Sequence, residues 1–154
     1  MKTQKLARLL RYSLIFVFIL GLFLTPFCHW CFKEFLSEIF SYDNPTEKLY
    51  IGIEIYTFGI ALMFIVTQLM GICSRVEKNE AFTQATVGCL RRIKICSLAA
   101  MTVYIIRFII IHTFDGLPAF LLGLSFLLAA VFTMVIEQLF KQATEIREEN
   151  SLMV

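Results

Sequence analysis

Two charged side chains, Glu54 and Arg107, occur inside stretches that are otherwise apolar enough to cross a membrane. Each lies five to seven residues from one end of its stretch, at depths of about 8 and 10 Å for a helical rise of about 1.5 Å per residue. Because charge is costly in lipid, opposite charges at similar depth on successive helices predict an ion pair. The pair could form a ligand or proton site. It could also only hold two helices in register, which is the interpretation we favour.

A Cys-x-x-Cys pair, Cys28 and Cys31, lies at the same end of the first apolar stretch. One interpretation is a thiol–disulfide relay, but such a relay usually needs a second exchangeable pair, and the other three cysteines are expected near the opposite side. Another is a metal site that adds His112 and Asp115, although this spacing is no recognised signature. We favour buried thiols without a chemical role, and we predict neither a metal nor a cofactor.

A further group of charges is expected at the other end of the apolar stretches. Glu137 lies near the end of the last stretch. The basic residues at the same level are Arg91, Arg92 and Lys94. An acidic side chain beside basic ones at the boundary between lipid and water predicts interfacial salt bridges, so no reaction is needed to explain this group.

The chain that carries these residues has the composition of a membrane protein. Hydrophobic residues make up 58% and charged residues 17%, against roughly 45–50% and 25% in soluble domains. A helix needs about 20 apolar residues to cross the hydrocarbon, and no segment alternates as a barrel strand does. Only three of the 26 charges fall within four such stretches. We therefore predict an all-α, integral membrane four-helix bundle, as a single domain, with spans at about 12–32, 49–74, 95–114 and 117–140.

Small residues spaced four apart let membrane helices approach each other closely. Gly21 with Thr25, and Ala119 with Gly123, form two such pairs. Other residues at helical spacing are also expected to face the bundle interior. They are Glu54, Ala61 and Gln68 on the second helix, and Phe126, Ala130, Thr133 and Glu137 on the fourth.

The distribution of Lys and Arg predicts the orientation of the bundle. Eleven of them lie in the N-terminal segment, the loop at 75–94 and the tail at 141–154, whereas two lie in the loops on the opposite side. We therefore expect both termini in the cytoplasm. Thr83 is the expected N-cap of a helix that leads into the third span. Helical spacing in the tail predicts that the last helix extends into the cytoplasm and stops at Asn150.

Two of the predicted cytoplasmic segments are more distinctive than a membrane protein requires. They contain a Lys-Asn-x-Ala-Phe-Thr loop at 78–83, an Ile-Lys-x-Cys entry to the third span at 93–96, and a Glu-Asn-x-Leu-x-Val ending at 149–154. Together with four spans, these motifs resemble the small bacterial membrane proteins grouped as domain of unknown function 2975. Ser151 and Met153 stand where the family usually has Asp and Thr.

The resemblance implies a multi-pass protein of the bacterial plasma membrane, in a family without an established activity. It also suggests a partner, because genes of the family often lie beside one for a small helix-turn-helix regulator. The cytoplasmic residues of the motifs could dock that regulator, or they could only cap the bundle. They are Lys78, Asn79, Phe82, Thr83, Glu149 and Asn150.

We predict a non-enzymatic regulatory or sensory accessory that engages a cytoplasmic partner. One alternative is a small transporter or immunity-type membrane protein that uses Glu54 and Arg107. Another is a membrane thiol–disulfide oxidoreductase that uses Cys28 and Cys31. Sequence motifs of soluble enzymes are absent, and anionic lipid explains the basic residues without direct binding of nucleic acid. The number of copies in the assembly stays open, with a homo-oligomer as one option.

Overall fold

The computed structural model describes residues 2–36, 45–110 and 116–152, which are helical almost throughout. Side chains are described for residues 4–34, 49–110, 119–147 and 149. The first helix continues at its end into a π-helical segment, Phe32–Leu36. The four α-helices are α1, Lys2–Cys31; α2, Pro45–Glu77; α3, Gln84–Ile110; and α4, Gly116–Leu152.

All four helices are long and apolar enough to cross a membrane. Their apolar segments have 27 to 31 residues, more than the roughly 20 that the hydrocarbon core requires. The predicted class, an all-α membrane protein with four spans, is therefore confirmed. With 37 residues, α4 is about 55 Å long and projects beyond a core about 30 Å thick. It ends at Leu152, slightly past the predicted stop at Asn150.

The helices pack in chain order, with α1 against α2, α2 against α3, and α3 most extensively against α4. A buried cluster joins α2, α3 and α4, and its centre is Tyr104, which has no exposed surface. On α4 the residues expected to face the interior are buried. Other members of the buried cluster are Ala61, Ala100, Ala119 and Phe126.

One end of the bundle, here called the basic end, contains the first turns of α1, residues 75–94 and the part of α4 after residue 140. Two contacts bring these segments together. Gln4 Nε2 of α1 donates a hydrogen bond to Asn79 Oδ1 at 3.3 Å, and Arg147 Nη1 of α4 donates one to the carbonyl of Phe82 at 3.4 Å. The N-terminal segment, the loop and the tail therefore lie at the same end, as four antiparallel spans require.

Helix α2 ends in a Schellman motif. The N–H of Glu80 donates to the carbonyl of Arg75 at 2.9 Å, and the N–H of Asn79 donates to the carbonyl of Val76 at 3.1 Å. Asn79 has a φ of 60°, the left-handed conformation that this motif requires at its first residue past the helix. Asn adopts this conformation more readily than most residues, which gives the Asn of the Lys-Asn-x-Ala-Phe-Thr loop a local structural reason.

Helix α3 begins directly after Thr83. The carbonyl of Thr83 accepts hydrogen bonds from the N–H groups of Thr86 at 2.9 Å and Val87 at 3.3 Å. The hydroxyls of Thr83 and Thr86 lie 3.3 Å apart, and Thr86 is fully buried. Thr83 thus occupies the predicted N-cap position, and its hydroxyl contacts another side chain as well.

Substitution of Asn79 should separate a backbone role from a side-chain role. We expect Asn79→Val to lower the free energy of unfolding by about 1–2 kcal/mol, because a β-branched residue is strained at a positive φ. Asn79→Gly loses the side chain but keeps the backbone conformation, so it should retain nearly all of the stability. Unfolding in mixed micelles, followed by circular dichroism, measures both. An equal loss in the two variants would show that the bond to Gln4, rather than the backbone, matters.

Candidate functional site

Glu54 of α2 and Arg107 of α3 meet near the end of the bundle opposite the basic end. Glu54 Oε1 contacts Arg107 Nη1, and only 12% and 9% of the two side-chain surfaces are exposed. The structure thus brings together the two charges that the sequence places at matched depth. Since their surroundings are largely apolar, the attraction between them is little screened, and separating them would be costly.

Tyr104 positions this ion pair and was missed by sequence reasoning. Its hydroxyl donates a hydrogen bond to the carbonyl of Glu54 at 3.0 Å. Its ring stacks on Phe126 of α4, with centroids 5.8 Å apart and planes inclined by 14°. Tyr104 precedes Arg107 by three residues and therefore shares its helix face, which is the signal that could have identified it.

A cavity of about 330 Å³ lies beside the ion pair, between α1, α2 and α4. Its walls are mostly apolar, and the carboxyl-bearing side chain among them is Glu54. Thr25 and Cys28 of α1 and Leu122 of α4 contribute to the lining. The volume is at the lower end of the range of about 300–1,000 Å³ that small-molecule sites occupy.

Helices α1 and α2 approach each other closely at this cavity, where Gly21, Thr25 and Gly59 are part of the lining. Gly59 of α2 lies against Thr25, where a Cβ on the glycine would collide with the Thr25 side chain. One turn earlier on α1, a Cβ on Gly21 would lie 3.5 Å from Met63. The predicted Gly21/Thr25 pair is therefore the surface by which α1 approaches α2.

Glu137 of α4 forms two ion pairs with α3 at the basic end. Its carboxylate lies 3.2 Å from Arg91 Nε and 2.5 Å from Lys94 Nζ, and 10% of the side chain is exposed. Arg92, which the sequence grouped with them, is exposed and forms no ion pair with the described residues. Three of the four predicted interface residues thus come together.

A similar cluster between α1 and α2 was missed by sequence reasoning. Glu77 Oε2 lies 3.2 Å from Arg11 Nη1, and Glu77 Oε1 lies 3.9 Å from Arg8 Nε. Antiparallel packing places the end of α2 beside the start of α1. An acidic residue at the end of the second span was the available signal, because four basic residues precede the first span.

Comparison with known proteins identifies the family. The family described as "Protein of unknown function (DUF2975)" matches residues 46–154, which include α2, α3 and α4 apart from the first residue of α2. The chain belongs to the DUF2975 family. It is similar to a protein of Bacillus subtilis (strain 168) named "Uncharacterized membrane protein YoaS", with 30% identity over 115 residues, 70% of this chain and 72% of the relative. No solved structure matches.

Glu54, Arg107 and Glu137 lie within the DUF2975 match, whereas Cys28 and Cys31 of α1 lie outside it. Both cysteines are free thiols, but the prediction that they are buried is wrong, since Cys28 is exposed and Cys31 is half-buried. His112 and Asp115, which the metal hypothesis adds, lie outside the described residues. Within the described part of the chain, no group of three or more His, Cys, Asp or Glu could hold a metal.

The loop motif of this DUF2975 member packs against α4 at Phe140, directly before the tail. The Phe82 ring lies 5.2 Å from that of Phe140 on α4, and 43% of Phe82 remains exposed. Of the other predicted docking residues, Thr83 is half-buried. Asn150 is part of α4, but its side chain lies outside the described residues. Exposed residues among those predicted to dock a partner are Lys78, Asn79 and Glu149.

Proposed function

We propose that this DUF2975 protein is a non-enzymatic regulatory or sensory accessory of the bacterial plasma membrane, with both termini in the cytoplasm. Its basic end would be the cytoplasmic face that engages a partner. The orientation rests on the excess of Lys and Arg in the segments that meet at that end. Four antiparallel membrane-spanning helices are consistent with it.

The contact between the loop and the tail carries this proposal. Phe82 packs on Phe140, and its carbonyl accepts a hydrogen bond from Arg147. The loop motif and the tail, far apart in sequence, therefore form one continuous surface. Phe82 is partly exposed in this surface, and Lys78 of the same loop motif is exposed as well. Aromatic residues and arginine are enriched in protein–protein interfaces, so Phe82 and the neighbouring Arg147 are candidate contacts for a partner.

The partner that we propose is a helix-turn-helix regulator. Binding at the membrane would hold such a regulator away from its DNA, and a change in the membrane domain could release it. The regulation would then need no catalytic residue in this chain. A surface built from two segments suits this role, since a shift between α2 and α4 would alter it.

Deletion of residues 145–154 tests this function. With a helix-turn-helix regulator from the same gene neighbourhood co-expressed, we expect the full chain to retain the regulator on purification and the deletion to lose it. Phe82→Ala should weaken retention roughly tenfold or more, as loss of an interface anchor does. Arg92→Gln, an exposed change at the same end but outside the 78–83 motif and the tail, is the control.

Thermal unfolding of each variant shows whether weaker binding of the regulator comes from a changed surface or from an unfolded protein. Retention of the regulator after the deletion would contradict the role of the tail. Absence of any complex with the full chain would contradict the proposal as a whole.

A small transporter or ligand-binding membrane protein is the second candidate. The observation that favours it is the cavity of about 330 Å³ beside Glu54. The carboxylate is already paired with Arg107, so a charged substrate would have to compete with that residue. Substrate flux that depends on both residues would favour transport over regulation.

A further inference from the structure

A polar recess of about 170 Å³ lies between α1 and α2 at the basic end. It is lined by Arg8, Arg11, Tyr12 and Ile15 of α1 and by Glu77 of α2. The cavity beside Glu54 is mostly apolar, whereas four of the five side chains here are polar or charged. The recess shares no residue with the 78–83 motif or the tail, which are proposed to dock a regulator.

The charges in this recess do not cancel. Two guanidinium groups face one carboxylate, which leaves one positive charge in excess. Arg8 is 69% and Arg11 44% exposed, so most of their N–H donors remain available beyond the contacts with Glu77. Lys5, one turn before Arg8, is exposed as well and adds positive charge nearby.

Glu77 offers an acceptor inside the recess. Its side chain is 18% exposed. Its Oε1 is buried, and no described residue gives this atom a hydrogen bond. A ligand that carries both an anionic group and a hydroxyl donor would therefore complement the recess, with the anion on the arginines and the hydroxyl on Glu77.

The span bounds predicted from the sequence place the recess at the depth of lipid headgroups. The predicted hydrocarbon span of α1 starts at residue 12, one residue after Arg11. Large aliphatic and aromatic side chains of α1 are exposed next to the basic residues and could contact acyl chains. They are Leu9 at 68%, Tyr12 at 65% and Phe16 at 66% exposure.

We propose that this recess binds the headgroup of an anionic phospholipid, phosphatidylglycerol. The phosphodiester accepts hydrogen bonds from Arg8 and Arg11, and a glycerol hydroxyl donates to Glu77. The single negative charge of the lipid matches the excess charge of the recess. Zwitterionic phosphatidylcholine has the phosphate but neither a net charge nor a hydroxyl donor. Basic pockets between membrane helices commonly select anionic headgroups in this way.

Lipid titration of the full chain in detergent, read by native mass spectrometry, tests the proposal. We expect phosphatidylglycerol to bind at least several-fold more tightly than phosphatidylcholine or phosphatidylethanolamine with the same acyl chains. The double variant Arg8→Gln/Arg11→Gln should lose roughly tenfold or more in affinity for phosphatidylglycerol. Arg92→Gln removes an exposed arginine elsewhere at the basic end and should bind as the parent does. Equal binding of the three lipids would overturn the proposal.

A second variant distinguishes direct binding of lipid by the recess from a role of these residues in holding α1 and α2 together. Glu77→Gln keeps an acceptor oxygen but raises the excess charge, so its affinity for phosphatidylglycerol should rise several-fold. Glu145→Gln makes the same change at an exposed site of α4 and should leave the affinity unchanged. If Glu77→Gln instead leaves the affinity unchanged in a folded protein, the recess is not the lipid site.

Discussion

Neutralising either Glu54 or Arg107 alone is expected to lower the free energy of unfolding by about 3–5 kcal/mol, and neutralising both is expected to cost less than either single change. Each single variant leaves a charge in an apolar region with its direct partner removed. The double variant Glu54→Gln/Arg107→Gln leaves two amides, which can hydrogen-bond to each other. The fully buried Tyr104 should hold the backbone of α2 in place in all three variants.

A double-mutant cycle of unfolding in mixed micelles measures this coupling. Glu145→Gln is the control, since the Lys141–Glu145 pair is exposed, 4.0 Å apart, and expected to contribute about 0.5 kcal/mol or less. Additive losses in the cycle would show that Glu54 and Arg107 act separately. If Glu54 and Arg107 only hold two helices in register, these charges should affect cellular output only through the stability of the protein.

The second large effect is expected at Gly59. Gly59→Ala places a Cβ within collision distance of the Thr25 side chain. Thr25 is short and β-branched, and its hydroxyl already donates to the Gly21 carbonyl at 2.9 Å, so it has little freedom to move aside. Helix α1 must then shift away from α2. Overpacking of this kind typically costs about 1–3 kcal/mol.

Gly88 on α3 is the matched control, because a Cβ there meets nothing within 4 Å. Gly88→Ala should be neutral or should stabilise the protein by up to about 1 kcal/mol through helix propensity. The double variant Gly59→Ala/Thr25→Ala should recover much of the lost stability, since it removes Thr25 Oγ1 and Cγ2, the two atoms nearest the added Cβ. Unfolding curves of these three variants and of the parent protein test this prediction. Equal behaviour of Gly59→Ala and Gly88→Ala would refute the close contact between α1 and α2.

Residue spacing in the sequence identifies the two charged residues of the candidate site but not Tyr104. Glu54 and Arg107 were recognisable because a charge inside an apolar stretch stands out, and helical rise converts its position into a depth. Tyr104 did not stand out, because a tyrosine in a span can face lipid, a neighbouring helix or the interface equally well. Its importance depends on a hydrogen bond to the carbonyl of Glu54, which sequence patterns do not encode.

At the basic end, too, the sequence predicts some contacts and not others. The pairing of Glu137 with Arg91 and Lys94 follows from matched depth on adjacent helices. Arg92 was expected beside them, but it follows Arg91 directly and so points about 100° away around the helix. Asn79 belongs to the Lys-Asn-x-Ala-Phe-Thr motif of the family. Its backbone conformation supplies a physical reason that holds without any partner.

The amino-acid sequence alone was sufficient for the four spans, the all-α class and the family. The reason is that each of these depends on one segment at a time: a helix in lipid satisfies its own backbone, and its length and apolarity follow directly from consecutive residues. Tertiary structure was needed for the cavity beside Glu54, the recess beside Glu77 and the joined surface of loop and tail. These depend on how each helix is rotated and how closely α1 approaches α2, and that approach depends on a contact between Gly59 and Thr25 far apart in the chain.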